Sequence, residues 1–345
     1  MFFFWTTMIE TLKFRNMNYR KLGRTGFEIS EVSLGTWQVG GKWGSPFDFK
    51  NAETILNEAI DRGINFIDTA DVYGDGNGES ERAVGRVVRS RSEQFYVATK
   101  CGRRLNPHVN QMYTPQAMRR FVEDSLKNMQ LETIDLIQLH CPPTEVYYRP
   151  EIFAEFDRMI AEGKIRKLGV SVEKVEEALK AIEYDNVDTI QIIFNIFRQR
   201  PAELFFEQAA KRNIGIIARV PLASGLLSGK FNLQTTFEAG DHRTFNRNGE
   251  AFDKGETFSG IDFNTGIDAV EELKRTFPEH HLAHLALQWI LSFPEVSTVI
   301  PGASNVEQLL SNIQVSVKNS LTPEELKNVK TIYDNRIKGL VHQLW

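Results

Sequence analysis

The stretch GINFIDTADVYGDGNGES, Gly63 to Ser80, sets four acidic residues and a tyrosine at the end of an apolar run. Asp68 closes that run, where a buried carboxylate needs a partner, and Tyr73 follows it in DTADVYG. Two further apolar runs end on polar residues: FYVATKCG in Lys100 and IDLIQLHCP in His140. A free phenol titrates near ~10, and an adjacent ammonium favours its ionised form. Lys100 is therefore expected to tune Tyr73 downward, with Asp68 holding the ammonium charged in a buried setting. His140 can donate a hydrogen bond to a carbonyl oxygen and orient it. Asp68, Tyr73, Lys100 and His140 thus form a set that protonates a carbonyl oxygen, with Tyr73 as general acid. No side chain supplies a hydride, so a cofactor must. Asp71, Asp75 and Glu79 read as solvated loop charges. The GDGNG segment reads as a flexible turn, because it lacks the G-x-G-x-x-G spacing of a phosphate loop.

The elements that must bring these residues together are strands alternating with amphipathic helices. Strand-like runs lie at 33–36, 65–68, 95–99, 135–139, 167–170, 189–193, 215–218 and 297–300. TPQAMRRFVEDSLKNM typifies the helices: Thr114 caps, Pro115 suits the first turn, and Met118, Phe121, Val122, Leu126 and Met129 share a face. Eight strand–helix units predict an α/β fold, a (β/α)8 TIM barrel whose strand ends share one functional face. NYRKLGRTGFEISEV precedes the first unit and reads as a hairpin closing the barrel bottom. The irregular span from about Ser224 to Asp262 is expected at the seventh strand end, where loops carry function. KNVKTIYDNRIKG belongs to extra C-terminal helices packed outside the barrel.

Composition agrees with such a fold. A chain of 345 residues, 41% hydrophobic and 25% charged, is long enough for one large core. Its net charge of -4 offers no broad basic field for nucleic acid. No apolar run approaches the ~20 residues needed to span a bilayer, so a protein without a membrane partner is expected. Two cysteines, Cys101 and Cys141, give no disulfide framework and fit a cytoplasmic location. Each follows a residue of the catalytic set, and thiols on neighbouring strands are expected to lie close together. Residues 1–18 are expected to be a poorly ordered N-terminal extension, with Met17 a natural start, and residues 19–345 a single domain. No metal site is expected.

From about Tyr19 to Asn312 the chain resembles the aldo-keto reductase family. LGTW, DTADVYG, ATK, DLIQLH, GVS, QIIFN, VPLASGLLSGK and IPGASNVEQLLSN carry the resemblance in order. It implies that Asp68, Tyr73, Lys100 and His140 are the catalytic tetrad, and that NADP(H) lies across the barrel mouth. Ser171 and Gln191 would hold the nicotinamide carboxamide, although Val172 follows Ser171 where many family members carry asparagine. Arg219 replaces an aromatic residue that many members stack on the nicotinamide; its guanidinium would stack there or pair with a loop acid. Gly35, Thr36, Pro221, Leu222, Ser224 and Gly225 would also line the cofactor. Lys230, Gly302, Ser304, Gln308 and Asn312 would meet its adenosine end, as in the potassium-channel beta subunits. Trp37 would line the substrate pocket.

The resemblance implies an NADP-dependent oxidoreductase acting on an aldehyde, ketone or sugar carbonyl, or on the corresponding alcohol. The alternative is a cofactor-holding, redox-sensing subunit like those of the channels. Specificity would reside in the loops 142–149 and 227–262.

Overall fold

The computed structural model describes residues 17–41, 46–74, 76–317 and 320–345. Of the expected extension, residues 1–18, residues 1–16 lie outside the described residues, as does Asp75. Met17 is buried, and Asn18 bonds through its backbone N–H to Ser316 Oγ at 3.0 Å, so the folded body begins before Tyr19.

Strands β1 (Tyr19–Lys21) and β2 (Glu28–Ser30) pair antiparallel as the expected hairpin. Eight strands follow: β3 (Leu34–Gly35), β4 (Phe66–Asp68), β5 (Tyr96–Cys101), β6 (Ile134–His140), β7 (Ile165–Ser171), β8 (Val187–Ile193), β9 (Gly215–Arg219) and β10 (Val296–Val299). They lie side by side in sequence order, and every pair is parallel. Parallel bridges Val32–Val299 and Gly35–Gly302 join the last strand to the first and close the barrel. Each of the eight apolar runs seen in the sequence supplies one strand.

Helices cover the outside, as parallel crossovers require. The helix Pro115–Met129 starts where its chemistry dictates: the Thr114 side chain accepts from Ala117 N–H, and Met118, Phe121, Val122 and Met129 are buried against the barrel. The helix Pro323–Arg336 opens with a capping box between Thr322 and Glu325 and buries Val329, Ile332 and Tyr333.

The interior explains how the site is positioned. Alternate strand residues face the same side. Near the bottom, Phe66, Ala98, Leu136 and Ile217 pack with Leu22, Phe27 and Ile29 of the hairpin into a separate apolar cluster. Two residues further along those strands stand Asp68, Lys100, Gln138 and Arg219. One face of each strand therefore changes from apolar at the plugged bottom to polar at the mouth. Gly169 serves the same packing: a Cβ there would come within 2.1 Å of Thr189 Oγ1.

Candidate active site

Lys100 is fully buried at the end of β5 and uses all three ammonium donors. Its Nζ lies 2.5 Å from Asp68 Oδ2, 2.9 Å from Thr69 O and 3.1 Å from Tyr73 Oη. The other Asp68 oxygen accepts from Gln138 Nε2 at 3.0 Å and Gln191 Nε2 at 2.8 Å. Burial pushes the ammonium down, but Asp68 and Tyr73 outweigh it and raise its pKa, so Lys100 stays charged. For Tyr73 the balance corrects the expected lowering. Burial raises its pKa more than Lys100 lowers it, and the group is a phenol at neutral pH.

His140 completes the cluster. Its ring stands 6.1 Å from the Tyr73 ring and nearly perpendicular to it, with a buried Nδ1 that has no hydrogen-bond partner among the described residues. Burial, then the charges of Lys100, Arg103 and Arg219, hold its pKa well below the usual histidine range. A neutral imidazole with spare polar capacity can position an uncharged carbonyl oxygen.

The loop bearing Tyr73 is fastened by a residue misread from sequence. Asp71 is not a solvated loop charge: it is buried and accepts from Arg104 Nε at 2.9 Å. Burial and the charge of Glu81 push its carboxyl up to about 7 against the pull of Arg104. The turn composition that suggested exposure conceals a partner 33 residues away. Glu79 is partly shielded and paired with Arg82 at 3.1 Å.

Trp37 is half-buried, with its ring stacked 6.1 Å from Tyr73. It packs at 5.2 Å on His242 and 6.5 Å on Phe252, both from the long loop after β9. That loop therefore reaches back over the barrel mouth, as the sequence placed it.

The residues assigned to a nicotinamide cofactor can be tested for fit. Ser171 Oγ is buried yet has only 3.5 Å contacts, to Gln191 Oε1 and Cys141 Sγ. Gln191 gives its amide nitrogen to Asp68, leaving the carbonyl oxygen with the long Ser171 contact. A hydroxyl and an amide oxygen with unspent capacity suit a carboxamide, which both donates and accepts. Gly35 and Thr36 are buried beside Gly302, with Thr36 Oγ1 2.8 Å from Ser80 Oγ.

Beyond Pro221 and Leu222, residues 223–225 take consecutive left-handed conformations, with φ of 47° at Ala223, 56° at Ser224 and 97° at Gly225. The Ser224 hydroxyl is engaged with the loop, donating to Glu256 O at 2.8 Å and accepting from Phe258 N–H at 3.1 Å. At the expected adenosine end, Ser304 Oγ donates to Gln308 Oε1 at 3.1 Å and Asn312 Nδ2 to Gly302 O at 3.2 Å, while Lys230 is exposed.

Arg219 takes the acid-paired option. Its guanidinium lies 3.1 Å from Glu173 Oε2 and 3.3 Å from Glu256 Oε1, leaving a buried Nε without a hydrogen-bond partner among the described residues. Burial and the Glu256 charge push Glu173 up, while Arg219 helps hold Glu256 down, so the pair keeps a proton on Glu173. Cys141 Sγ, Glu173 and Glu256 lie within 4.8 Å of one another, with Arg219 already supplying their cation. Cys101 belongs to the core outside the barrel, on the opposite face of β5 from Lys100, whereas Cys141 contacts Ser171 and Arg219.

Gln138, Glu173 and Glu256 escaped the sequence reading. Gln138 alone carried a usable signal, a polar residue two positions before His140 and so on the same strand face.

Residues 31–334 match the Aldo/keto reductase family. The aldo-keto reductase YhdN of Bacillus subtilis is 33% identical over 333 residues, covering 94% of this chain and 96% of that protein. A potassium channel subunit beta-like protein of Schizosaccharomyces pombe is 30% identical, covering 92% of this chain and 94% of its own. The glycerol dehydrogenase AKR11B4 of Gluconobacter oxydans, a solved structure, superposes with a TM-score of 0.75 at 31% identity, over 92% of this chain and 96% of that one. The chain belongs to the aldo/keto reductase family.

Proposed function

We propose that this protein is an NADP(H)-dependent oxidoreductase that interconverts a small aldehyde, ketone or sugar carbonyl and its alcohol, with Tyr73 as general acid and base. The single observation carrying this reading is the placement of Lys100 Nζ 3.1 Å from Tyr73 Oη and 2.5 Å from Asp68 Oδ2 in a buried site. When bound, the nicotinamide supplies the hydride. In reduction, the neutral Tyr73 phenol donates its proton to the carbonyl oxygen, and the adjacent Lys100 ammonium stabilises the phenolate that remains. Asp68 keeps Lys100 charged and in place, assisted by Gln138 and Gln191. His140, held neutral, orients the substrate oxygen without placing a second cation beside it. Trp37 forms a wall of the substrate site. Ser171 and Gln191 would hold the carboxamide, and Ser304, Gln308, Asn312 and Lys230 the adenosine end.

The test is the loss of NADPH absorbance with 4-nitrobenzaldehyde and a panel of ketones and sugars. Tyr73→Phe should lower turnover at least ~100-fold, the scale of general acid catalysis, while cofactor binding persists. Unchanged turnover in that variant would remove Tyr73 from its role.

Similarity to the potassium channel subunit beta-like protein supports a second reading, a cofactor-holding binding subunit. Recovery of a membrane protein partner together with negligible aldehyde turnover would favour it.

A further inference from the structure

A cleft of about 400 Å³ opens at Cys141, the residue after His140, between the ends of β5, β6 and β7 and the long loop; Arg103, His108, Lys174, Glu173, Glu177 and Asp253 are among its lining residues. Its acids are already committed. Glu173 shares Arg219 with Glu256. Glu177 accepts from Thr144 Oγ1 at 2.7 Å and from the N–H groups of Glu173 and Lys174 at 3.0 and 3.1 Å. Asp253 Oδ1 accepts from Trp345 Nε1 at 3.0 Å and Gly255 N–H at 2.7 Å.

Arg103 is different. It stands three residues beyond Lys100, half-buried, and among the described residues its guanidinium has no hydrogen bond or ion pair. Its contact is with the Phe252 ring, 6.0 Å from the centroid. Its charge is felt at His140, so it lies within electrostatic reach of the reacting centre. His108 beside it is held neutral, pushed down to about 4 by burial and by Arg103, and its Nε2 is occupied by Tyr113 Oη at 2.8 Å. Lys174 adds a second cation at the exposed rim. A partly desolvated guanidinium with no hydrogen bond or ion pair among the described residues, drawn only at longer range by Glu256 and Glu173, is built to meet an anion from outside the chain.

We propose that Arg103 recognises an anionic group on the substrate, so that the preferred carbonyl compound bears a carboxylate or phosphate on the side away from the cofactor. A carboxylate is met by two parallel N–H donors, and a phosphate by the same fork. The inference deepens the reductase reading and rests on it.

The experiment compares kcat/KM for 4-carboxybenzaldehyde with that for the neutral 4-nitrobenzaldehyde, and for glyceraldehyde 3-phosphate with glyceraldehyde. Each ratio is taken within one protein, so partial unfolding cancels. The unmutated chain should prefer the anionic member of at least one pair, and the pair concerned identifies carboxylate or phosphate as the group read. Arg103→Met should lower that preference at least ~10-fold, mainly through KM, as expected for loss of a charge-assisted contact. Arg103→Lys should fall between the two. A preference untouched by Arg103→Met overturns the proposal, as does absence of any preference in the unmutated chain. A matching loss of NADPH affinity overturns it too, by assigning the guanidinium to the cofactor. Should the unmutated chain reduce none of these aldehydes, the reductase reading fails instead. Benzoate titrated calorimetrically into both proteins then decides the anion site: weaker binding to Arg103→Met supports it, and equal binding overturns it.

Discussion

The Lys100 ammonium lies 2.5 Å from Asp68 Oδ2 with both side chains shielded from water. Removing one partner leaves a buried charge uncompensated, at a typical cost of ~3–5 kcal/mol. Asp68→Asn should therefore lower stability by an amount of that order and reduce turnover sharply. The double variant Asp68→Asn/Lys100→Met should regain part of the stability while remaining inactive. Chemical denaturation beside an aldehyde assay checks both. A double variant no more stable than Asp68→Asn alone would argue against a coupled pair.

The balance of burial and charge at Tyr73 gives a pH prediction. Burial raises the phenol above its usual value of 10.0 and Lys100 opposes it incompletely. The proton-donating form persists through neutral pH, so kcat for reduction should be level from about pH 6 to 9 and fall only at more alkaline pH. Lys100→Met removes the opposing charge and should move that fall higher still, beneath a much lower plateau. A pH profile at saturating cofactor measures both effects. A fall near neutrality traced to Tyr73 would contradict the assignment.

The polar strand ends were legible because the physics is local: an apolar run ending on aspartate, lysine or histidine points that residue into the barrel mouth. The same period-two argument extends from His140 back to Gln138, which now appears as an Asp68 ligand. Asp71 was opaque, since turn residues look alike whether solvated or buried, and its partner Arg104 follows a different strand. The Arg219 partners were equally hidden. Glu173 comes from the turn after β7 and Glu256 from a loop without a regular pattern, and only the closed barrel brings them together.

Asp71 makes stability depend on pH. Its carboxyl is raised from 3.8 to about 7 in the fold, first by burial and then by Glu81. Between those values the folded chain binds more protons than the unfolded one, so this group stabilises the fold below about pH 4. That contribution is lost as pH rises through about 7. Asp71→Asn stays neutral and should lose this dependence, gaining stability relative to the parent by an amount on the order of 4 kcal/mol between pH 4 and 8. Urea denaturation of both proteins across that range provides the measurement. Parallel curves would show that Asp71 is ionised throughout, held so by Arg104.

Preference for NADP(H) rests on how a 2'-phosphate could be received. Discrimination usually calls for a cation, yet the segment IPGASNVEQLLSN contains no lysine or arginine. Ser304 and Gln308 bond to each other through Oγ and Oε1 at 3.1 Å, a contact that can open to present a hydroxyl and an amide to phosphate oxygens. The charge would come from Lys230, exposed on the loop after β9 and free to swing as a flexible point charge. Lys230→Met should then weaken NADPH binding on the order of fivefold, the worth of one exposed ionic contact, while leaving NADH nearly unaffected. Added salt should narrow the gap between the two cofactors in the unmutated chain by screening the same contact. Fluorescence titration with each cofactor supplies the dissociation constants. Equal affinities in the unmutated chain would make NAD(H) the better assignment.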